Sequence, residues 1–158
     1  MHEDAVLRDA VNDALKDAMK SQDKRRVGTL RLINAAFKNA DIEARGQGKD
    51  ALADDALHGV LQKMIKQRQE SADLYDKGGR PELAAQEREE IEIITSYLPQ
   101  QMTDLEAGAC IQSLVHELNA ESLKDMGRIM AALKERFAGK MDFAKASARV
   151  KDILGGPR

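Results

Sequence analysis

Apolar residues recur along this chain in steps of three and four, which is the helical period. Leu7, Val11, Ala14, Leu15, Ala18 and Met19 predict a first helix. Leu30, Ile33, Phe37, Ala40 and Ala44 predict a second, from about Lys24 to Arg45. The two glycines of "EARGQGKDALAD" then mark a loop. Asp54 is the expected N-cap of a third helix carrying Leu57, Leu61, Met64, Ala72 and Tyr75 to a stop at Gly78 and Gly79. Pro81 suits the first turn of a fourth helix, because its missing N–H would be unpaired there anyway. That helix runs through Leu83, Ile91 and Ile94 to Leu98, where Pro99 ends it.

"YLPQQM" therefore reads as a hinge between an N-terminal helical lobe, residues 1–98, and a smaller lobe, residues 99–158. Thr103 and Glu106 have the spacing of a capping box before a fifth helix with Leu105, Ala109, Leu114, Val115 and Leu118. Asp125 is the expected cap of a sixth, with Met126, Met130, Leu133 and Phe137 on one face and Gly139 as its stop. Asp142 opens a last helix through Ala146, Val150 and Ile153. No stretch alternates as a strand does, so the expected class is all-α.

Composition narrows the function more than the fold. With 42% hydrophobic and 33% charged residues the chain can bury a core and is not a disordered tail. Three Phe, two Tyr and no Trp leave few platforms on which bases could stack. One cysteine, Cys110, excludes an intrachain disulfide and fits a small buried thiol. The acidic, amphipathic start and the lack of a long apolar run argue against a secretory signal and a membrane span, so the expected location is cytoplasmic.

Charge is uneven. Residues 122–158 hold nine basic and four acidic side chains, +5 in a chain of net −2. Such a segment is a candidate anion-facing surface. Lys24, Arg31, Lys38 and Arg45 also recur every seven residues, along one side of the second helix. That row fits a water-facing edge better than a track for phosphates. Arg68, by contrast, occupies the apolar face of the third helix, and folding the hairpin about Gly78-Gly79 brings it towards Glu87 and Glu90. A partly buried ion pair that sets the hairpin register is expected there.

Catalytic machinery is hard to assemble. His2, His58 and His116 fall in separate segments without metal-ligand spacing, so no metal site is expected. No nucleophile elbow, phosphate-binding loop or dinucleotide fingerprint is present, so no cofactor is called for.

The stretch "VLQKMIKQRQESADLYDKGGRPELAAQEREEIEIITSYLPQQMTDLE", followed by "SLKDMGRIMAALKERFAGKMD", resembles the YqeY family. These are small stand-alone relatives of the tail of the B subunit of tRNA-dependent amidotransferases, and the likeness runs from about Leu7 to Leu154. It implies long N-terminal helices and a C-terminal three-helix bundle like that tail. The tail is a tRNA-contacting appendage, and the glutamine-dependent carbon–nitrogen ligase chemistry of the enzyme resides in other domains. The likeness thus implies an accessory protein without a reaction of its own. Asp125-Met126-Gly127-Arg128 and Gly139-Lys140 match small and basic positions of the tail, whereas Phe143-Ala144 departs from its more polar stretch.

Gly127 sits in the first turn of the sixth helix, where glycine costs about 1 kcal/mol relative to alanine. Either a phosphate approaches the backbone there or a neighbouring helix packs against it. Lys124, Gly127, Arg128, Lys140, Lys145 and Arg149 are the candidate contacts for tRNA or another structured RNA. Two other readings stay open: an adaptor whose N-terminal hairpin docks on an amidotransferase or aminoacyl-tRNA synthetase, and an amidotransferase acting alone.

Overall fold

The computed structural model describes residues 6–155. Among them are seven α-helices, one turn of 3-10 helix and no strand, the all-α class that the periodicity predicts. The chain divides after Leu98 into two compact units.

The first unit holds α1 (Val6–Ser21), α2 (Lys24–Gly46), α3 (Asp54–Lys77) and α4 (Pro81–Thr95). α1 and α2 pack as one hairpin, α3 and α4 as another, and α2 also lies against α4. Val11, Leu30, Ile33, Leu57, Leu61 and Ile94 are fully buried between them. Gly79 turns the second hairpin at φ +73, a conformation open to glycine, and Pro81 occupies the start of α4. Towards that turn the buried positions shrink to Ala72 and Ala84.

Two local expectations differ from the fold. Met19 lies at the end of the α1 stripe and is half exposed, because the buried line runs Leu7, Val11, Ala18. Asp54 is not the N-cap of α3, since Ala53 holds that position without a side-chain bond. The Asp54 carboxylate instead accepts the Leu7 N–H at 3.2 Å, serving an open amide in the first turn of α1.

The second unit contains α5 (Asp104–Glu117), a 3-10 turn (Leu123–Asp125), α6 (Met126–Arg136) and α7 (Phe143–Gly155). Ile111, Leu114, Ile129, Leu133, Met141, Ala146, Val150 and Leu154 form its core. The Thr103–Glu106 capping box is made in both directions. The inward line of α5 is Ala107, Ile111, Leu114 and Leu118, so Leu105 and Ala109 face roughly the opposite way and Leu105 is 85% exposed.

The start of α6 also differs from expectation. Ser122 caps the preceding 3-10 turn, and Asp125 reaches back to the Glu121 and Ser122 N–H groups at 2.8 and 3.4 Å. Asp125 makes no cap bond to α6 itself. The 3-10 turn shifts the true start of the helical segment three residues earlier, from Met126 to Leu123.

Candidate nucleic-acid interface

The basic C-terminal segment is positioned by short local devices. Asp142 accepts the N–H groups of Ala144 and Lys145 at 3.0 and 3.2 Å, fixing the first turn of α7. Gly139, buried at φ +77, reverses the chain between α6 and α7. The Met102 N–H donates to the Lys140 carbonyl at 2.8 Å, and the Gln101 amide donates to the Gly139 carbonyl. These bonds tie the segment before α5 to the α6–α7 turn.

Lys140, Lys145 and Arg149 consequently border one cleft of about 110 Å³, together with Gln101, Asp104 and Asp142. Arg149 crosses the first turn of α5. Its guanidinium donates to the Asp104 carbonyl and lies 3.6 Å from the Asp104 carboxylate. Gly108 leaves room for the crossing, because a methyl group there would stand 3.0 Å from Arg149 Nη1, a tight contact. Neither role of this pair, the pin nor the glycine beneath it, shows as a pattern in sequence.

Lys124, Gly127 and Arg128 form a second group. Leu123, beside Lys124, packs on Gly155 at the far end of α7, whereas Lys145 belongs to its first turn. A helix of 13 residues rises about 1.5 Å per residue, so Lys145 lies on the order of 15 Å along α7 from the Leu123–Gly155 contact. The six candidates do not converge on one patch.

Arg128 bonds Asp125 at 2.8 Å and the Leu118 carbonyl at 3.3 Å. The amides of Glu121 and Ser122, with the Arg128 guanidinium, hold the Asp125 carboxyl below the usual aspartate range. Nothing lies within 4 Å of a methyl group placed at Gly127, which rules out close helix packing as the reason for this glycine.

The charges of this segment divide by residue type. Arg128, Arg136 and Arg149 each reach a carboxylate, on Asp125, Glu117 and Asp104. Lys124, Lys134, Lys140, Lys145 and Lys151 are exposed and form no ion pair among the described residues. Lys134 and Lys151 were visible in the charge count but not among the sites that the motif picked out.

Elsewhere the ionic contacts hold the fold. Arg68 Nε lies 3.1 Å from Glu90, both side chains being mostly buried, and its Nη1 donates to the Met64 carbonyl at 3.2 Å. Glu87 is near this pair without bonding Arg68. Burial, then the Glu90 charge, push its carboxyl above the usual glutamate range. A stronger network escaped the sequence reading: Arg8 bonds both Asp41 oxygens at 2.7 Å and the Leu52 carbonyl at 2.8 Å, while Asp41 also accepts the Leu52 N–H at 2.9 Å. It ties α1, the end of α2 and the following loop together.

His58 is half-buried, with Nδ1 enclosed and lacking a hydrogen-bond partner; His116 is exposed; His2 lies outside the described residues. Among the described residues no group of three His, Cys, Asp or Glu side chains could hold a metal ion, and no helix is long and apolar enough to cross a membrane. Cys110 is half-buried rather than enclosed, beside Phe137 in a shallow groove.

The family described as Yqey-like protein matches residues 8–154, nearly the whole chain. The chain belongs to the YqeY family. Among curated relatives, the protein named "Altered inheritance of mitochondria protein 41, mitochondrial" from Lachancea thermotolerans is 40% identical over 106 residues, 66% of this chain and 55% of the relative. Its namesake from Eremothecium gossypii is 34% identical over 109 residues, 67% of this chain and 57% of the relative. That from Pyrenophora tritici-repentis is 27% identical over 146 residues, 89% of this chain and 77% of the relative. The YqeY chain thus spans little more than half the length of the first two.

These names overturn the cytoplasmic expectation, since each relative is described as mitochondrial. The reason is physical: a single thiol and the lack of an apolar span constrain redox chemistry and insertion, whereas compartment is set by address segments read by receptors.

Proposed function

We propose that this YqeY-family protein is an accessory protein that binds structured RNA of the tRNA class by phosphate contacts from its C-terminal unit, and carries out no reaction of its own. The observation that carries the proposal is the set of five exposed lysines without carboxylate partners. A lysine ammonium is a compact charge on a flexible stem, suited to phosphates at several angles rather than to one planar acceptor. The family likeness to the tRNA-contacting tail of an amidotransferase subunit supports the same direction. Both aromatic residues of this unit, Phe137 and Phe143, pack against its core, so sequence readout by base stacking has no platform here.

The test is a tRNA titration of the full chain across a salt series. Lys140→Glu with Lys145→Glu should weaken binding strongly and flatten the slope of log K against log salt by about 2. Arg128→Glu should weaken it less, because Asp125 already balances that charge. Affinity indifferent to the lysine reversals, or a steeper loss from Arg128→Glu alone, would overturn the proposal.

A further inference from the structure

The outward face of α2 carries a second feature, which the RNA reading does not use. Its buried side is Thr29, Leu30, Ile33, Phe37 and Ala44. On the opposite side Gly28, Leu32, Ala35, Asn39 and Ile42 follow one another in steps of four, three, four and three, and all five are exposed. Leu32 is 46% and Ile42 56% exposed, although apolar residues of this size normally face a core. Nothing lies within 4 Å of a methyl group placed at Gly28. Alternating four- and three-residue steps trace the seam of a coiled coil, small residues let a partner backbone come close, and a single polar residue in the seam fixes register.

Along one edge of this seam runs the row Lys24, Arg31, Lys38 and Arg45. All four are exposed and none has an ion-pair partner among the described residues. The acid nearest that edge, Asp41, is committed to Arg8 and to the Leu52 N–H. In heptad terms the four cations fill successive positions flanking the seam, where opposite charges on a partner helix select it.

We propose that the outward face of α2 docks an amphipathic helix of a partner protein, apolar along its own seam and acidic along the edge that meets this row. A second copy of this chain is a poor occupant. Antiparallel pairing of two α2 helices would oppose four cations with four, and parallel pairing would set the row against Ala36 and Glu43, with Thr29, the remaining position of that edge, buried. RNA would engage the row and leave Leu32 and Ile42 against water.

The partner is unidentified, so the probe is a synthetic helix of about three heptads with Leu in the seam and Glu on both flanks, titrated by fluorescence anisotropy into the full chain. A matched peptide with Lys on both flanks is the control. Saturable binding of the Glu peptide and none of the Lys peptide is expected. Leu32→Asp with Ile42→Asp, and separately Arg31→Glu with Lys38→Glu, should each weaken the Glu peptide by about tenfold or more. The second variant should gain affinity for the Lys peptide. Both variants change only exposed positions, and far-UV circular dichroism checks that they fold. The proposal is overturned if the Glu peptide fails to bind, or binds the Leu32/Ile42 variant unchanged. It is equally overturned if Arg31→Glu with Lys38→Glu abolishes tRNA binding while the peptide never engages. The peptide outcomes do not depend on the C-terminal lysines, so this proposal and the RNA proposal fail separately.

Discussion

The two units use charge in different ways. In the first, Arg8 with Asp41 and Arg68 with Glu90 are mostly buried contacts that join residues 33 and 22 positions apart. In the second, Arg128, Arg136 and Arg149 pair at the surface. Buried ion pairs with their hydrogen bonds completed are expensive to break, whereas exposed ones contribute little. Long helices with few turns need such contacts to fix where one lies along another. A small bundle closed by caps at Thr103, Ser122 and Asp142 gets its register from the ends of its helices. Among the described residues each unit nonetheless leaves exposed cations without ion-pair partners, the row on α2 and the C-terminal lysines among them.

Removing one acid from each unit should give the largest difference between them. Asp41→Ala strips Arg8 of its bidentate partner and leaves the Leu52 N–H without its acceptor, an expected loss of about 1.5–3 kcal/mol in urea unfolding. Asp104→Ala removes a carboxylate that is 75% exposed and keeps the carbonyl bond to Arg149, so about 0–1 kcal/mol is expected. Equal losses would remove the distinction between the units.

Glycines give a smaller contrast. Gly127→Ala adds a methyl group in open space within a helix and should stabilise by about 0.5–1 kcal/mol, read as a higher thermal midpoint. Gly108→Ala adds the same methyl group against Arg149 Nη1. The guanidinium must give by a few tenths of an ångström, so the gain should be smaller than at Gly127.

The smallest effect is in pH dependence, and two acids of the first unit act in opposite directions. The hydrogen bond from Arg8 holds the Asp41 carboxyl below the ordinary 3.8. Its contribution is therefore complete above that value and is lost as pH falls through the lower folded one. Glu87 is held above the ordinary 4.5 by burial and by Glu90, so the folded state opposes its ionisation and stability falls as pH rises through that window. Urea midpoints followed from about pH 3 to 7 should show Asp41→Asn flattening the acid limb. Glu87→Gln should slightly raise the midpoint at neutral pH and leave the acid limb in place.

Much of the fold was legible because its signals are local. Helix periodicity, Pro81 at the start of α4, the glycine stop at 78–79 and the Thr103–Glu106 box each act within about one turn of helix. The misreadings came where a neighbouring element reassigned a residue. Asp54 serves α1 instead of α3, the 3-10 turn takes Asp125 away from α6, and Leu105 faces water because Ile111 sets the inward line of α5.

The candidate site was legible as a composition and not as a geometry. An all-α chain with a cationic end follows from residue types and their spacing alone. Only the tertiary structure decided which cations are free. Asp41 meets Arg8 across 33 residues and Asp104 meets Arg149 across 45, and a carboxylate delivered by folding over such separations neutralises one charge and leaves its neighbour open.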